Sequence, residues 1–396
     1  MNRRDAIKAL VALPASSLAV RLHAAGPAPR PRFLLVFLRG GYDCANLLVP
    51  VSSSFYYEAR PNIAIGKPGP ETTAALALDA DWGLHPVLRE TIYPLWNSGQ
   101  VAFVPFAGTD DLTRSHFETQ DAIELGQALD GTRNFQSGFL GRLAEVLGGA
   151  ADAIAFTDQL PVVFRGPKPV PNMALRSIAK PSIDARQSGI IAAMYRNTPL
   201  EKSVAEGFAV RDDVAREMAA EMDAASRNAI TARGFELEAR RIAKLMREKY
   251  ALGFVDIGGW DTHVGEGGAT GYLAGRLDEL GRGLAAYADE LGPQWANTTV
   301  VVISEFGRTF RENGNRGTDH GHGSVYWVLG GSLHGGRIVG EQAKVEAGSL
   351  FQNRDFPVLN DYRQILGGLF ARIYGLGPAQ LGNVYAGVQP LDFALA

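Results

Sequence analysis

Three histidines of this chain lie close to aspartates in two glycine-rich segments. The 396 residues include only seven histidines. His263 follows Asp261 by two positions, and His320 and His322 come shortly after Asp319. Imidazoles and carboxylates are common ligands of divalent metals, and glycines let the backbone approach an ion closely. These segments therefore predict a metal site of the kind that hydrolases use.

Both segments leave an alternative open. Asp261 and His263 are two positions apart, so in an extended segment their side chains share one side and can hold the same ion. The pair is equally compatible with an aspartate that caps a turn and a histidine on the surface. For the segment around Asp319 and His320, the alternative is a flexible polar loop.

Glu305 lies directly beyond the most strand-like run of the chain, Thr298 to Ile303. A carboxylate that leaves a buried strand needs a cationic partner, because burial of an unpaired charge is costly. That partner is either a metal ion or Arg308, three residues further on.

Ser115 stands where a predicted helix begins. Ser115 or Thr113 can act as the N-cap, and the N-terminus of the helix would favour a bound anion. Close to a divalent ion, the Ser115 hydroxyl could act as a nucleophile with a lowered pKa. The alternative is a serine that only caps the helix.

Apolar runs alternate with helical patterns along the chain. The helical patterns cover about 199–250, 270–291 and 361–374. The runs that predict strands are Phe33 to Leu38, Val101 to Phe106, Pro161 to Phe164, Ala251 to Ile257, Thr298 to Ile303 and Val325 to Leu329. This alternation predicts an α/β fold with a mostly parallel central sheet and helices on both faces.

Carboxylates follow three of these runs. Asp43, Asp261 and Glu305 each come just past the carboxyl end of a predicted strand. In parallel sheets, ligands bind beyond the carboxyl ends of the strands. We therefore expect these three segments to meet at one edge.

Composition excludes several classes of protein. The chain is 46% hydrophobic with a net charge of −3, and it has no Lys/Arg run that would indicate nucleic acid as a partner. No internal stretch approaches the roughly 18 apolar residues of a membrane span, so none is expected in the mature chain. Cys44 is the only cysteine, which rules out an intramolecular disulfide.

The N-terminus has the pattern of an export signal. Arg3 and Arg4 precede an apolar run, Ala9 to Val20, and small residues follow at Ala24 and Ala25. This pattern predicts a twin-arginine signal peptide over 1–25, a linker over 26–31 and a single domain over 32–396. The twin-arginine export machinery would then be a partner, and the protein would be periplasmic or secreted. The alternative is an amphipathic N-terminal helix of the mature fold.

The motifs, taken together and in order, resemble those of an exported bacterial family, the domain of unknown function 1501. The matching segments are Arg3-Arg4, Leu38 to Asp43, Ser115 to Phe117, Trp260 to His263, Ser304 to Thr309 and Asp319 to Gly321. That family is similar in arrangement to the alkaline phosphatase and sulfatase superfamily. The resemblance implies an alkaline phosphatase/sulfatase-like fold with a helical insertion.

The resemblance also implies roles for individual residues. Ser115 corresponds to the nucleophile, and Arg39 or Arg308 is placed to hold a substrate oxygen. The implied metal ligands are Asp43, Asp261, His263, Glu305, Asp319, His320 and His322. Two departures from the superfamily leave the number of ions, one or two, open: the short spacing of Asp261 and His263, and Glu305-Phe306 in place of Asp-His or Asp-Asn.

The function predicted from these features is metal-dependent hydrolysis of phosphate or sulfate esters outside the cytoplasm. The cofactor would be zinc, manganese, magnesium or calcium. The substrate would be a small-molecule or polymer-linked ester. The alternative is a non-catalytic envelope protein that keeps the fold, with or without a structural ion.

We predict that exchange of both Arg3 and Arg4 for lysine stops export, because the twin-arginine machinery reads the arginine pair. Fractionation of cells that express each form measures this directly. Arg21→Lys, in the same leader, is the control and should leave export unchanged. Unchanged export of the double variant would contradict a twin-arginine signal.

Overall fold

The strand predicted from Phe33 to Leu38 lies in the interior of the main sheet. In the computed structural model, this strand, β1 (Arg32–Leu38), pairs in parallel with β7 (Leu252–Ile257) on one side and with β8 (Thr298–Ser304) on the other. The structure describes residues 30–148, 152–173, 185–209 and 234–395. The predicted signal peptide over 1–25 lies outside these residues.

The main sheet has eight strands in the order β10-β5-β9-β8-β1-β7-β6, with β11 beside β5. The other strands of this sheet are β5 (Val101–Gly108), β6 (Ala153–Ala155), β9 (Ser324–Gly330), β10 (Arg337–Ile338) and β11 (Asn360–Asp361). β9 is antiparallel to β5 and to β8, and the other pairs are parallel. The prediction of a mostly parallel sheet is therefore confirmed.

Several features of the strand pattern were not predicted, among them the short strands β6, β10 and β11. A small antiparallel sheet is formed by β2 (Leu48–Val49), β3 (Leu76–Ala77) and β4 (Gly83–Leu84). The strand predicted at Pro161 to Phe164 is wrong, because Val162–Phe164 forms a short 3-10 helix. The amide of Val163 donates to the Glu124 side chain at 3.0 Å instead of to a neighbouring strand.

Helices cover both faces of the sheet, as predicted. The described helices are α1 (Cys44–Leu47), α2 (Ser54–Ala59), α3 (Ile92–Asn97), α4 (His116–Leu125), α5 (Phe139–Leu147), α6 (Ala185–Met194), α7 (201–209), α8 (Phe235–Glu248), α9 (Tyr272–Leu291), α10 (Tyr362–Tyr374) and α11 (Pro378–Val384). Side chains alternate along β1 because a strand directs successive residues to opposite faces. Leu34 and Val36 pack with α8 and α9, whereas Phe33 and Leu35 pack with α5, α10 and α11.

The helical block predicted over about 199–250 is helical where it is described, in α7 and α8. Residues 210–233 of the block lie outside the described residues. No helix in the described ranges combines the length and the apolar character needed to cross a membrane.

A buried ion pair fixes the chain just beyond β1. Asp43 caps α1 by accepting from the amide of Ala45 at 3.3 Å. Both carboxylate oxygens also accept from the Arg60 guanidinium, one of them at 3.0 Å, and both side chains are almost fully buried. Burial alone would raise the pKa of Asp43, but Arg60 outweighs burial and holds this pKa below its usual range.

Arg60 is satisfied on all sides. Its remaining N–H groups donate to Asn46 Oδ1 at 3.0 Å, to Phe310 O at 2.7 Å and to Thr309 O at 3.2 Å. The pair therefore ties the loop after β1 to the segment that follows β8, and both segments reach the carboxyl edge of the sheet.

We predict that Arg60→Met lowers the free energy of unfolding by about 3–5 kcal/mol, because it leaves the Asp43 carboxylate buried without a cation. Urea unfolding near neutral pH measures the loss. Arg372→Met is the matched control: the Arg372–Asp392 pair is exposed, so its loss should change stability little. Equal effects of the two substitutions would contradict a structural role for the buried pair.

Candidate metal centre

Loops from four strands meet at the carboxyl edge of the main sheet. The loop after β5 leads into α4 and brings His116, and the loop after β7 brings Asp261 and His263. Glu305 and Arg308 follow β8. The loop that enters the antiparallel strand β9 brings Asp319 and His320 to the same edge. The expectation that carboxylates beyond the strand ends meet at one edge of the sheet therefore holds for Asp261 and Glu305.

His116 points its two ring nitrogens at different carboxylates. Nδ1 donates to Glu305 Oε1 at 2.8 Å. Nε2 is buried, has no hydrogen-bond partner among the described residues, and lies 3.6 Å from Asp261 Oδ2. The hydrogen bond to Glu305 raises the pKa of His116. In the charged form of His116, Nε2 also carries a proton. A cation bound at Nε2 would compete with this proton, so metal binding would release it.

Glu305 is held in place by several donors. Its Oε1 accepts from the amide of Gly40 and from Gln120 Nε2, each at 2.8 Å, in addition to His116. Burial alone would raise the pKa of Glu305, but these hydrogen bonds hold it below its usual range. Gly40 has a φ of +127°, and a Cβ there would lie 2.8 Å from the amide nitrogen of Asp261. Glycine at position 40 therefore allows the loops after β1 and β7 to approach each other.

His320 and His263 are oriented in the same manner as His116. His320 Nδ1 donates to the backbone carbonyl of Arg114 at 2.9 Å, and His263 Nδ1 donates to Asp319 Oδ1 at 3.0 Å. Carbonyl and carboxylate oxygens only accept, so each Nδ1 carries a proton, and Nε2 is the nitrogen whose lone pair a metal can use. Burial lowers the pKa of His320, which favours its neutral form.

The Nε2 atoms of the three imidazoles surround the Asp261 carboxylate. His263 Nε2 lies 2.9 Å and His320 Nε2 lies 3.2 Å from Asp261 Oδ1, and these two nitrogens are 3.2 Å apart. Lone pairs at this separation repel each other unless a proton or a cation is shared. Ligands at about 2.0–2.1 Å from a tetrahedral zinc ion are roughly 3.3 Å apart, so the spacing suits a metal. His116, Asp261 and His320 offer ligand atoms within 4.8 Å of one another.

Carboxylates and a carbonyl behind the imidazoles fit the same interpretation. A histidine that binds a metal usually donates its other N–H to such an acceptor, which fixes the tautomer and the ring orientation. Here, Glu305 accepts from Nδ1 of His116, and Asp319 accepts from Nδ1 of His263. Glu305 and Asp319, which the sequence suggested as direct ligands, therefore lie one layer behind the imidazoles.

The Arg114 carbonyl that orients His320 belongs to a residue in the left-handed region, with φ of +52°. Its guanidinium is fixed by Asp355 Oδ2 at 3.0 and 2.7 Å and by Gln352 Oε1 at 2.9 Å. These contacts stabilise an unusual backbone conformation immediately before Ser115.

Arg308 supplies the positive charge closest to Asp261. Its Nη1 donates to Asp261 Oδ1 at 2.5 Å, and its other donors bind the hydroxyl and the carbonyl of Thr318. Burial alone would raise the pKa of Asp261, but Arg308 outweighs it and lowers this pKa. The ion pair that the sequence offered for Arg308 involved Glu305, whereas the structure gives Arg308 to Asp261.

Arg39, the other predicted substrate clamp, has acceptors other than Asp261. It donates to Asp256 at 2.6 Å, Gln120 at 2.8 Å and Glu124 at 2.9 Å. Arg39 and Arg308 both have acceptors in place, so either could hold a substrate oxygen only by opening these contacts.

Asp43 and His322 lie apart from the cluster. Asp43 is occupied by Arg60, so this guanidinium, and not a metal, neutralises the carboxylate after β1. The His322 ring packs on Phe351 with centroids 5.0 Å apart, and burial lowers its pKa to about 4. We therefore leave both residues out of the candidate ligand set, although the sequence suggested them.

His116 is the candidate ligand that sequence reasoning did not select. Its neighbour Ser115 caps α4 and accepts from the amide of Glu118 at 3.5 Å, a position that both interpretations of Ser115 predicted. Its position in the sequence could have identified it, because His116 follows β5, whose carboxyl end lies at the same edge of the sheet as those of β7 and β8.

Comparison with known proteins places the chain in a family. No protein with a curated description matches it. Two solved structures are similar to it, "Crystal structure of Ps i-CgsB in complex with k-i-k-neocarrahexaose" with 10% identity and a TM-score of 0.41, and "Crystal structure of Ps i-CgsB" with 11% identity and a TM-score of 0.36. Each alignment covers 89% of this chain and 74% of the other. At these TM-scores, we draw no conclusion about fold or function from the similarity. The model of the family described as "Protein of unknown function (DUF1501)" matches residues 30–384, and the chain belongs to this family.

Proposed function

We propose that the protein is an exported, metal-dependent hydrolase of phosphate or sulfate esters, with one ion held by His116, Asp261 and His320. The observation that carries the proposal is the orientation of the imidazoles. Each Nδ1 donates to an acceptor, and the buried Nε2 of His116 has no hydrogen-bond partner in the described part of the chain. His263 lies beside this set and is the candidate for a fourth ligand.

The donor set favours zinc among the metals considered. Imidazole nitrogen suits zinc, whereas magnesium and calcium prefer oxygen ligands. Asp43 is neutralised by Arg60 and so offers no second ion site beyond β1. The proposal is therefore a single-ion centre within an alkaline phosphatase/sulfatase-like arrangement.

When bound, such an ion would supply Lewis acidity toward a negatively charged oxygen of the ester. Ser115, at the N-cap of α4 and directly before His116, provides the nucleophilic hydroxyl. The first-turn amides of α4 favour an anionic group at this end of the helix. Arg308 keeps Asp261 ionised and in position. Phe117 and Val264 adjoin His116 and His263 and are 84% and 70% exposed, which suits contact with an apolar part of the ester.

A specific contact favours a second candidate, a non-catalytic protein. Arg308 already neutralises Asp261 at 2.5 Å, so the cluster could also serve as an ion-pair network. Retained zinc distinguishes a metal centre from an ion-pair network without metal, and ester turnover distinguishes a hydrolase from a non-catalytic protein.

We predict that the purified protein, loaded with zinc and freed of excess, retains one equivalent, and that His320→Ala lowers the retained amount at least tenfold by removing a ligand. Elemental analysis measures the content. His322→Ala is the matched control, because His322 lies two residues away but outside the cluster, and it should retain the metal. Absence of zinc from the wild type, or equal retention by both variants, would favour the non-catalytic candidate.

We also predict that Ser115→Ala abolishes turnover of phosphate or sulfate aryl esters while its zinc content stays at the wild-type level, because the substitution removes only the nucleophile. Release of the phenol measures turnover, and Thr113→Ala is the control for a hydroxyl in the same loop. Retained turnover in Ser115→Ala would rule out this nucleophile.

A further inference from the structure

Glu266 is a fully buried acid that joins the two loops carrying the candidate ligands. Its Oε2 accepts from the hydroxyl of Thr262 at 2.7 Å and from the hydroxyl of Thr318 at 2.8 Å. Thr262 lies between Asp261 and His263 in the sequence. Thr318 directly precedes the second ligand loop, so one carboxyl oxygen of Glu266 connects both loops.

The other oxygen of Glu266, Oε1, is also buried, and no donor from the described residues reaches it. Burial and the charge of Asp43 raise the pKa of Glu266 well above its usual range, whereas Arg60 holds the pKa of Asp43 below its own.

The contacts continue from Glu266 toward the candidate ligands. The Thr318 hydroxyl accepts from Arg308 Nε at 3.2 Å while it donates to Glu266. Arg308 in turn binds Asp261. The amide of Thr318 also donates to the Thr262 carbonyl at 3.0 Å, so backbone and side chains join the same two loops.

We propose that Glu266 is a positioning residue for the metal centre: its Oε2, by accepting from the hydroxyls of Thr262 and Thr318, holds together the two loops that carry the candidate ligands. This inference rests on the proposed metal function. It assigns Glu266 no contact with metal or substrate. The residue acts through Thr262, Thr318 and Arg308.

Two substitutions at this position test the proposal. Glu266→Gln keeps both threonine contacts, since the amide oxygen accepts from both hydroxyls; zinc affinity should stay within about threefold of the wild type. Glu266→Ala removes both contacts, and zinc affinity should fall about 10–100-fold, as when supporting residues are lost at other metal sites. Competition with a chromophoric chelator measures both affinities, and urea unfolding shows that each variant is folded.

Several outcomes would overturn the proposal. If Gln were as damaging as Ala, the hydrogen bonds from the two threonines would not be what positions the loops, and if Ala were harmless, the residue would not position the loops. Should Glu266→Ala fail to fold, Thr318→Val tests the same connection and should weaken zinc binding at least threefold; unchanged affinity would contradict the proposal.

A metal-independent measurement separates this proposal from the proposed function. If the wild type binds no zinc, the metal centre fails, but hydrogen exchange of the Thr318 amide in the metal-free protein still tests Glu266. We expect exchange at least tenfold faster in Glu266→Ala than in the wild type and Glu266→Gln. Equal exchange in all three proteins would show that Glu266 does not hold the loops.

Discussion

The Asp261 carboxylate is the charge on which the arrangement of the carboxyl edge depends. Arg308, His263 and His320 all direct polar atoms at its Oδ1, and His116 directs Nε2 at its Oδ2. His116, Arg308 and His320 come from loops that are far from Asp261 in the sequence, whereas His263 lies in the same loop. The Asp261 side chain is 44% exposed, and its carboxylate joins these loops through charged and polar contacts.

The edge has two layers with different chemistry. The inner layer, Arg60, Asp43 and Glu266, is closed: the Arg60 guanidinium neutralises Asp43, and Glu266 accepts from the hydroxyls of Thr262 and Thr318. The outer layer around Asp261 is partly open to solvent and contains the Nε2 atoms of the three imidazoles. A rigid inner layer can hold the outer groups in position without taking part in their chemistry, which is what a preformed metal site requires.

The sequence predicted the parts of the fold that follow from local patterns. Continuous apolar runs identified β1, β7 and β8, and the rule that ligands gather beyond strand ends placed Asp261 and Glu305 at one edge. The run from Pro161 to Phe164 was misjudged, because four apolar residues fit a 3-10 turn as well as a strand.

The pairing of side chains could not be predicted in the same way. Asp43 looked like a metal ligand because nothing local reveals that Arg60, seventeen residues later, occupies both its oxygens. The role of Glu266 depends on hydroxyls of two separate loops. To select His116 from the sequence, one would have to know that β5 ends at the same edge of the sheet as β7 and β8. Each of these depends on long-range contacts that a single sequence does not encode in its spacing.

Anomalous diffraction from zinc-loaded crystals tests the central claim most directly. The account predicts a single strong peak at the zinc edge, about 2.0–2.1 Å from Nε2 of His116 and His320 and from a carboxylate oxygen of Asp261. A peak located elsewhere, such as at His322, or no peak at this cluster in fully loaded crystals, would contradict the account.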